Sequence, residues 1–279
     1  MNVLKEIARL TRIEHGLMFA VAVFIGEIIT GTIPPYGILL LSILIPVFSE
    51  MGAFALNDYV DVEADRANKR TDRPLVAGTL SPRFALLLSI SMLLLSSFLA
   101  YFINAVVFII TISLNILAIA YNFKLKELPL VGNGYIALTM GIPFIFGNFV
   151  VSQVIFPPNL VLFILAFIAG LAREIIKSVE DVYGDLVARG AKTLPILIGR
   201  KQSLAIAFLL YMAFIPLTYL PFVSGLRGTL LSYFFVTLGN TLIVANVFYA
   251  LKGEYRKSRS LSLIAFFMGL LGYLIAAVL

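Results

Sequence analysis

The sequence contains no cysteine and a single histidine among its 279 residues. Without a thiol there is no disulfide, no zinc–thiolate site and no cysteine nucleophile. One imidazole excludes any multi-histidine metal centre. Charge is scarce too: Asp, Glu, Lys and Arg make up 13% of the chain, against roughly 25% in a soluble domain. Hydrophobic residues supply 61% and the mean hydropathy is +1.01. Such a chain lacks the polar surface to face water on every side, so lipid must solvate much of it.

What fills the sequence instead is a series of long apolar runs. A bilayer core needs roughly 20 consecutive apolar residues as a helix. The runs predict nine spans, near residues 13–30, 37–60, 82–101, 103–121, 130–152, 159–181, 202–222, 230–251 and 261–279. Backbone in lipid must satisfy its own hydrogen bonds, and runs this continuous call for helices rather than barrel strands. The expected class is all-α, a single transmembrane domain over residues 1–279. The first run follows Lys5, Arg9 and Arg12 in the manner of a signal peptide. Glu27 interrupts it and no A-x-A cleavage pattern follows, so it reads as a span.

The basic residues are sorted to one side. Of the 21 Lys and Arg, all but Arg227 fall in five alternate stretches: the N-terminus, residues 66–83, Lys124 and Lys126, residues 173–201, and residues 252–259. The positive-inside rule puts these in the cytoplasm, with the N-terminus inside and the C-terminus outside the cell membrane. The net charge of +6 is accounted for by topology, and no basic domain with interleaved aromatics suggests nucleic acid.

Two helix ends carry clustered acid. The second span closes on Asn57, Asp58, Asp61 and Asp65, with Asn57, Asp61 and Asp65 at four-residue spacing on one helical face. The sixth closes on Asp181 and Asp185 at the same spacing, preceded by Lys177 and Arg173. Both spans run in the same direction, so both clusters reach the cytoplasmic side. Each precedes a basic loop, Lys69, Arg70 and Arg73 after the first, Arg189 and Lys192 after the second. Residues 37–101 and 159–222 thus look like two copies of one design. Carboxylates facing one another in a partly desolvated cleft repel and raise each other's pKa. Mg²⁺ relieves this, being bound by one or two carboxylates plus phosphate oxygens. The surrounding Lys and Arg suit phosphate. Carboxylates, Mg²⁺ and diphosphate ringed by base are a device for ionising an allylic diphosphate.

These residues resemble the UbiA-type intramembrane prenyltransferases. Asn57-Asp58-x-x-Asp61-x-x-x-Asp65 fits that family's first motif, Asp181-x-x-x-Asp185 is similar to its second, and NKRTDRPLVAGTLS from Asn68 to Ser81 looks like its basic loop. The resemblance implies a helical bundle around a central cavity, with Mg²⁺ and a prenyl diphosphate at its cytoplasmic mouth. It implies one Mg²⁺ on Asn57, Asp61 and Asp65 and another on Asp181 and Asp185. Asp58, Asp61, Asp181 and Lys177 would be catalytic. Arg70, Lys124 and Lys177 would touch the diphosphate, with Tyr121 nearby and Lys69, Arg73 and Arg173 around it, and Arg9 or Arg12 completing the pocket. Arg173-Glu-Ile-Ile-Lys177 looks most like the archaeal ether-lipid branch, which transfers geranylgeranyl to geranylgeranylglyceryl phosphate. Arg12-Ile-Glu14-His15 is more similar to branches that prenylate 4-hydroxybenzoate-like rings, so both acceptors stand.

Buried acid pairs also serve ion-coupled transporters, but those favour inverted repeats and acids near the bilayer midplane. Glu50, on the Asn57 face and deep in the second span, reads either as a cavity-lining group or as an interhelical hydrogen bond. Glu27 reads as structural, and Asn115, Asn148, Asn240 and Asn246 as interhelical glue.

Overall fold

A computed structural model describes residues 3–279, the side chains of Ala188 and Arg189 excepted, so the expected basic role of Arg189 lies outside the described residues. The described chain is helical throughout, in the order α1 (Val3–Thr11), α2 (Ile13–Ile28), α3 (Tyr36–Val60), α4 (Val62–Ala67), α5 (Pro82–Tyr101), α6 (Ala105–Phe123), α7 (Val131–Val151), α8 (Pro157–Arg189), α9 (Leu194–Ile198), α10 (Arg200–Leu217), α11 (Leu220–Val223), α12 (Leu230–Leu251) and α13 (Tyr255–Val278). Among the described residues, eight helices are long and apolar enough to cross a membrane. They coincide with eight of the nine expected spans. The remaining one corresponds to α2, which at 16 residues rises only about 24 Å. The protein is a multi-pass membrane protein.

Two ends extend further than the apolar runs do. Helix α8 continues to Arg189, so its 33 residues form a rod of about 50 Å that outlasts a 30 Å hydrocarbon core. Helix α13 begins at Tyr255, so Arg256, Lys257 and Arg259 lie in its first turns and not in a loop. Long basic side chains reach water from such positions along their aliphatic stems.

The chain forms two compact units. The first comprises the chain up to Ala20, Pro35–Gly132 and Asp181–Thr193. Its helices pack by small and polar residues and leave large apolar ones outside, as expected where lipid is as apolar as leucine. On α5, Ala85, Ser89, Leu93, Ser96 and Ala100 are buried while Leu87, Leu94 and Phe98 are exposed. Gly52 of α3 admits α5 so closely that an added Cβ would stand 2.8 Å from Leu93. Asn115 of α6 donates to the Leu93 carbonyl at 3.1 Å and to Ser96 and Ser97 at 3.0 Å. It also accepts from Ser49 of α3. One side chain thereby ties three helices.

The second unit comprises Val21–Pro34, Asn133–Glu180 and Leu194–Leu279. Here α12 and α13 pack along small residues, and a Cβ at Gly272 would meet Val236 at 2.7 Å and the Ser232 carbonyl at 2.9 Å. Asn240 donates to Thr218 at 2.9 Å, and Asn148 accepts from Asn159 at 3.0 Å. Glu27 is fully buried in α2.

Candidate active site

The first acidic cluster sits where α3 hands over to α4. Asp61 is the hinge residue, at φ −92° and ψ 4°, yet its N–H still bonds the Asn57 carbonyl at 2.9 Å and its carbonyl accepts from Asp65 at 2.8 Å. The four-residue ladder therefore survives the change of helix. Asn57 Nδ2 donates to Asp61 at 3.0 Å and to Asn122 of α6 at 2.9 Å. Asp58 is 1% exposed.

Each acid meets a cation from a different segment of the first unit. Arg12, from the α1–α2 junction, donates to Asp58 at 3.0 Å, and Arg73 bonds the same oxygen. Arg73 also lies 3.8 Å from Asp65. Lys126, on the 3₁₀ turn Leu125–Glu127, bonds Asp61. Arg70 bonds Asp181 of α8. Both acidic motifs thus share one electrostatic network. Burial pushes the Asp65 carboxyl above its ordinary range, an effect that Arg73 partly offsets.

The loop that supplies Arg70 and Arg73 is tied down at several points. The Arg70 N–H bonds the Asp65 carbonyl at 2.9 Å, Arg9 donates to the Asp72 carbonyl at 2.9 Å, and Thr79 donates to Glu6 at 2.9 Å. Leu75 packs with Leu10, Ala55 and Ala85 in a small core. Three non-glycine residues of the unit have positive φ: Arg12 at 46°, Lys69 at 54° and Leu130 at 60°. Each is one of these cations or flanks the segment that supplies one.

The expected residues separate by location. Asn57, Asp58, Asp61, Asp65, Arg12, Arg70, Arg73 and Asp181 converge in the network. Asp185 follows Asp181 by one turn and is half-buried. Arg9 is bound to Glu6 and Asp72 and braces the loop. His15 and Arg12 both approach Phe54, the imidazole at 5.3 Å and the guanidinium at 4.4 Å from its centroid. Glu50 interacts electrostatically with Arg12. Tyr121 is half-buried and Lys69 exposed. Lys124 is 74% exposed and reaches Glu127, while Lys126, two residues on, takes the buried place beside Asp61. Lys177 and Arg173 belong to the second unit, where both bond Glu174. Lys126, Asn122 and Phe54 escaped the sequence reading. Only the run Lys124-Leu125-Lys126 pointed to a lysine at this place.

The donor set suits a hard divalent ion: an amide oxygen and carboxylates at four-residue spacing, with Asp58 Oδ2 buried and lacking a hydrogen-bond partner. Among the described residues no three acidic or histidine side chains form a metal cage by themselves. Mg²⁺ does not require one, since it is usually held by one or two carboxylates with substrate phosphates completing the shell. The residues fit the ion.

The model of the UbiA prenyltransferase family matches residues 17–271. The chain belongs to that family. It is 38% identical over 282 residues to the digeranylgeranylglyceryl phosphate synthase of Archaeoglobus fulgidus, covering 98% of this chain and 96% of that protein. It is 34% identical over 267 residues to the Methanopyrus kandleri synthase of the same name, covering 95% and 96%. A solved membrane digeranylgeranylglyceryl phosphate synthase superposes with a TM-score of 0.72 at 27% identity, covering 100% of this chain and 99% of that one. A UbiA homolog from A. fulgidus bound to GPP and Mg²⁺ shares the fold, with a TM-score of 0.69 at 21% identity over 98% and 100% of the chains. Membership makes this UbiA chain a prenyltransferase and sets the transporter reading aside.

Proposed function

We propose that the protein transfers a geranylgeranyl-type chain from its diphosphate to geranylgeranylglyceryl phosphate, as a step in archaeal ether-lipid synthesis. The observation that carries the donor half is the pairing of Asp58, Asp61 and Asp181 with Arg12, Arg73, Lys126 and Arg70. Lys126 and Arg70 are held against Asp61 and Asp181, acids that a divalent ion can take over, and Arg12 and Arg73 meet on Asp58 beside them. The acceptor half is supported by relatives named as digeranylgeranylglyceryl phosphate synthases over nearly the whole chain.

In this reading Asn57, Asp61 and Asp65 hold one Mg²⁺, and Asp181 and Asp185 another. When bound, the ions supply positive charge to the departing diphosphate. Arg70, Arg73, Lys126 and Arg12 turn from carboxylates to phosphate oxygens, where bidentate guanidinium contacts orient the leaving group. The C1–O bond of the donor breaks with its electrons passing to pyrophosphate. The acceptor hydroxyl oxygen bonds to C1 and its proton is released. The protein lies in the cell membrane with this site and the N-terminus in the cytoplasm and the C-terminus outside. Residues 37–101 and 159–222 are two copies of one design within a single domain.

The test is incubation of purified protein and Mg²⁺ with labelled geranylgeranyl diphosphate and an acceptor panel. Product on the glycerol-phosphate lipid is expected. Efficient prenylation of 4-hydroxybenzoate with the lipid ignored would overturn the acceptor and return His15 to a quinone-type site.

A further inference from the structure

One acid of the first unit has no part in the chemistry described so far. Glu50 lies near the middle of α3, a helix of 25 residues that is long and apolar enough to cross the membrane. An ionisable group at that depth is costly to keep and points to a function. Glu50 precedes Asn57 by seven residues, which places it about 10 Å along the helix axis toward the bilayer interior.

Val47, Glu50, Phe54 and Asp58 follow one another at three- and four-residue steps, so they form one stripe of α3. The start of α2 runs along this stripe. A Cβ added at Gly16 would stand 3.4 Å from the Val47 Cα, His15 and Arg12 approach Phe54, and Arg12 donates to Asp58. Arg12 is also the cation whose charge reaches Glu50. On the opposite face of α3, Gly52 admits α5 and Ser49 reaches Asn115 of α6. Glu50 therefore shares the face of the acidic motif. Its carboxylate differs from the others there. Asp58 takes Arg12 and Arg73, Asp61 takes Lys126, and Asp65 stands near Arg73. Among the described residues none gives Glu50 a hydrogen bond, and the residue is half-buried. A carboxylate has about four acceptor positions, and here they remain for a hydroxyl.

A prenyl diphosphate at the acidic motif keeps its phosphates among the cations and its hydrocarbon chain in the apolar interior. Its C1 then lies on the bilayer side of Asn57 and Asp61, the side on which Glu50 stands. An alcohol that attacks C1 must lose its proton as the new bond forms, and a carboxylate placed beside it can accept that proton. We propose that Glu50 is the general base of the transfer and takes the proton of the acceptor hydroxyl. The proposal rests on the function given above, in which the acceptor is an alcohol. The O–H bond breaks and the oxygen forms its bond to C1. The C1–O bond to the diphosphate breaks with its electron pair, and the proton passes to a Glu50 oxygen. The polar groups of α3 are thereby divided by depth: Asn57, Asp61 and Asp65 serve the leaving group, and Glu50 serves the nucleophile.

The test compares the full chain in detergent with Glu50→Gln, which keeps the shape but removes the proton acceptor, and with Glu50→Asp, which keeps a shorter carboxylate. The substrates are geranylgeranyl diphosphate with Mg²⁺ and the glycerol-phosphate lipid. Glu50→Gln should lower kcat roughly a hundredfold or more. Calorimetry should find its affinity for the diphosphate within about twofold of wild type, since only the transition state uses the base. Glu50→Asp should keep at least about tenfold more turnover than Glu50→Gln. Melting temperatures should stay near wild type, because neither variant breaks a hydrogen bond within the protein. Near-normal turnover of Glu50→Gln, a parallel loss of diphosphate affinity, or equal loss in the two variants overturns the proposal. Failure of the functional reading shows in the wild type instead: it leaves the glycerol-phosphate lipid unprenylated, and the proposal falls with that hydroxyl.

Discussion

Arg70 and Asp181 are separated by 111 positions in sequence and meet as an ion pair. This contact joins the loop after the first acidic motif to the start of the second. At 14% and 19% side-chain exposure, the pair is desolvated enough to matter and open enough to exchange partners. Asp181→Asn should therefore lower turnover by roughly a hundredfold or more with little change in melting temperature. Near-normal turnover would remove Asp181 from the chemistry.

Asp61 should behave differently, because its partner is buried. Lys126 is only 6% exposed, and removing one partner of a buried ion pair costs about 3–5 kcal/mol. Asp61→Asn should lower both turnover and the melting temperature of the metal-free protein. Adding Lys126→Met should restore the melting temperature while activity stays low. A double variant as unstable as the single one would show that the pair does not couple.

The two neighbouring lysines should separate cleanly. Lys126→Met is expected to raise the donor KM or lower kcat by tenfold or more, whereas Lys124→Met should stay within about twofold, as for a solvent-screened surface pair. The reverse ranking would return Lys124 to the diphosphate.

Metal affinity should depend on pH through Asp65. Its carboxyl is raised by burial, so protons compete with Mg²⁺ at a higher pH than at an ordinary aspartate. Affinity should be greatest above the raised value and fall as pH drops through it, with proton release on binding. Calorimetry in buffers of different ionisation enthalpy measures both. Asp65→Asn should weaken binding and flatten its pH dependence; an unchanged profile would assign the titration elsewhere.

Orientation can be measured directly, since the chain has no native cysteine to remove. A cysteine at Ala77 should label with a membrane-impermeant reagent from the cytoplasmic side, and one at Pro35 from outside. The opposite pattern would invert the topology and the site with it.

The acidic half of the site was legible because helical spacing writes itself into sequence: Asn57, Asp61 and Asp65 had to share a face, and Asp181 and Asp185 had to repeat it. The cationic half was less so. Lys124 and Lys126 are equivalent on paper, and only the 3₁₀ turn at Leu125–Glu127 decides which lysine turns inward. Eight spans followed from apolar length, whereas α2 ends at Ile28 in a turn closed by the Thr30 and Gly31 N–H groups, a stop that no hydropathy average registers.

The positive φ of Arg12, Lys69 and Leu130 bears on how variants of this protein will evolve under heat. A non-glycine residue in that conformation carries a penalty of about 1–3 kcal/mol, and glycine or asparagine relieves much of it. A laboratory population selected only for thermal survival should accumulate such replacements at all three positions. At 69 and 130 they discard side chains that the acidic network does not use. At 12 they discard the guanidinium that reaches Asp58. Thermostable lineages should consequently divide into active ones that keep Arg12 and impaired ones that do not, so position 12 marks where durability and turnover part company.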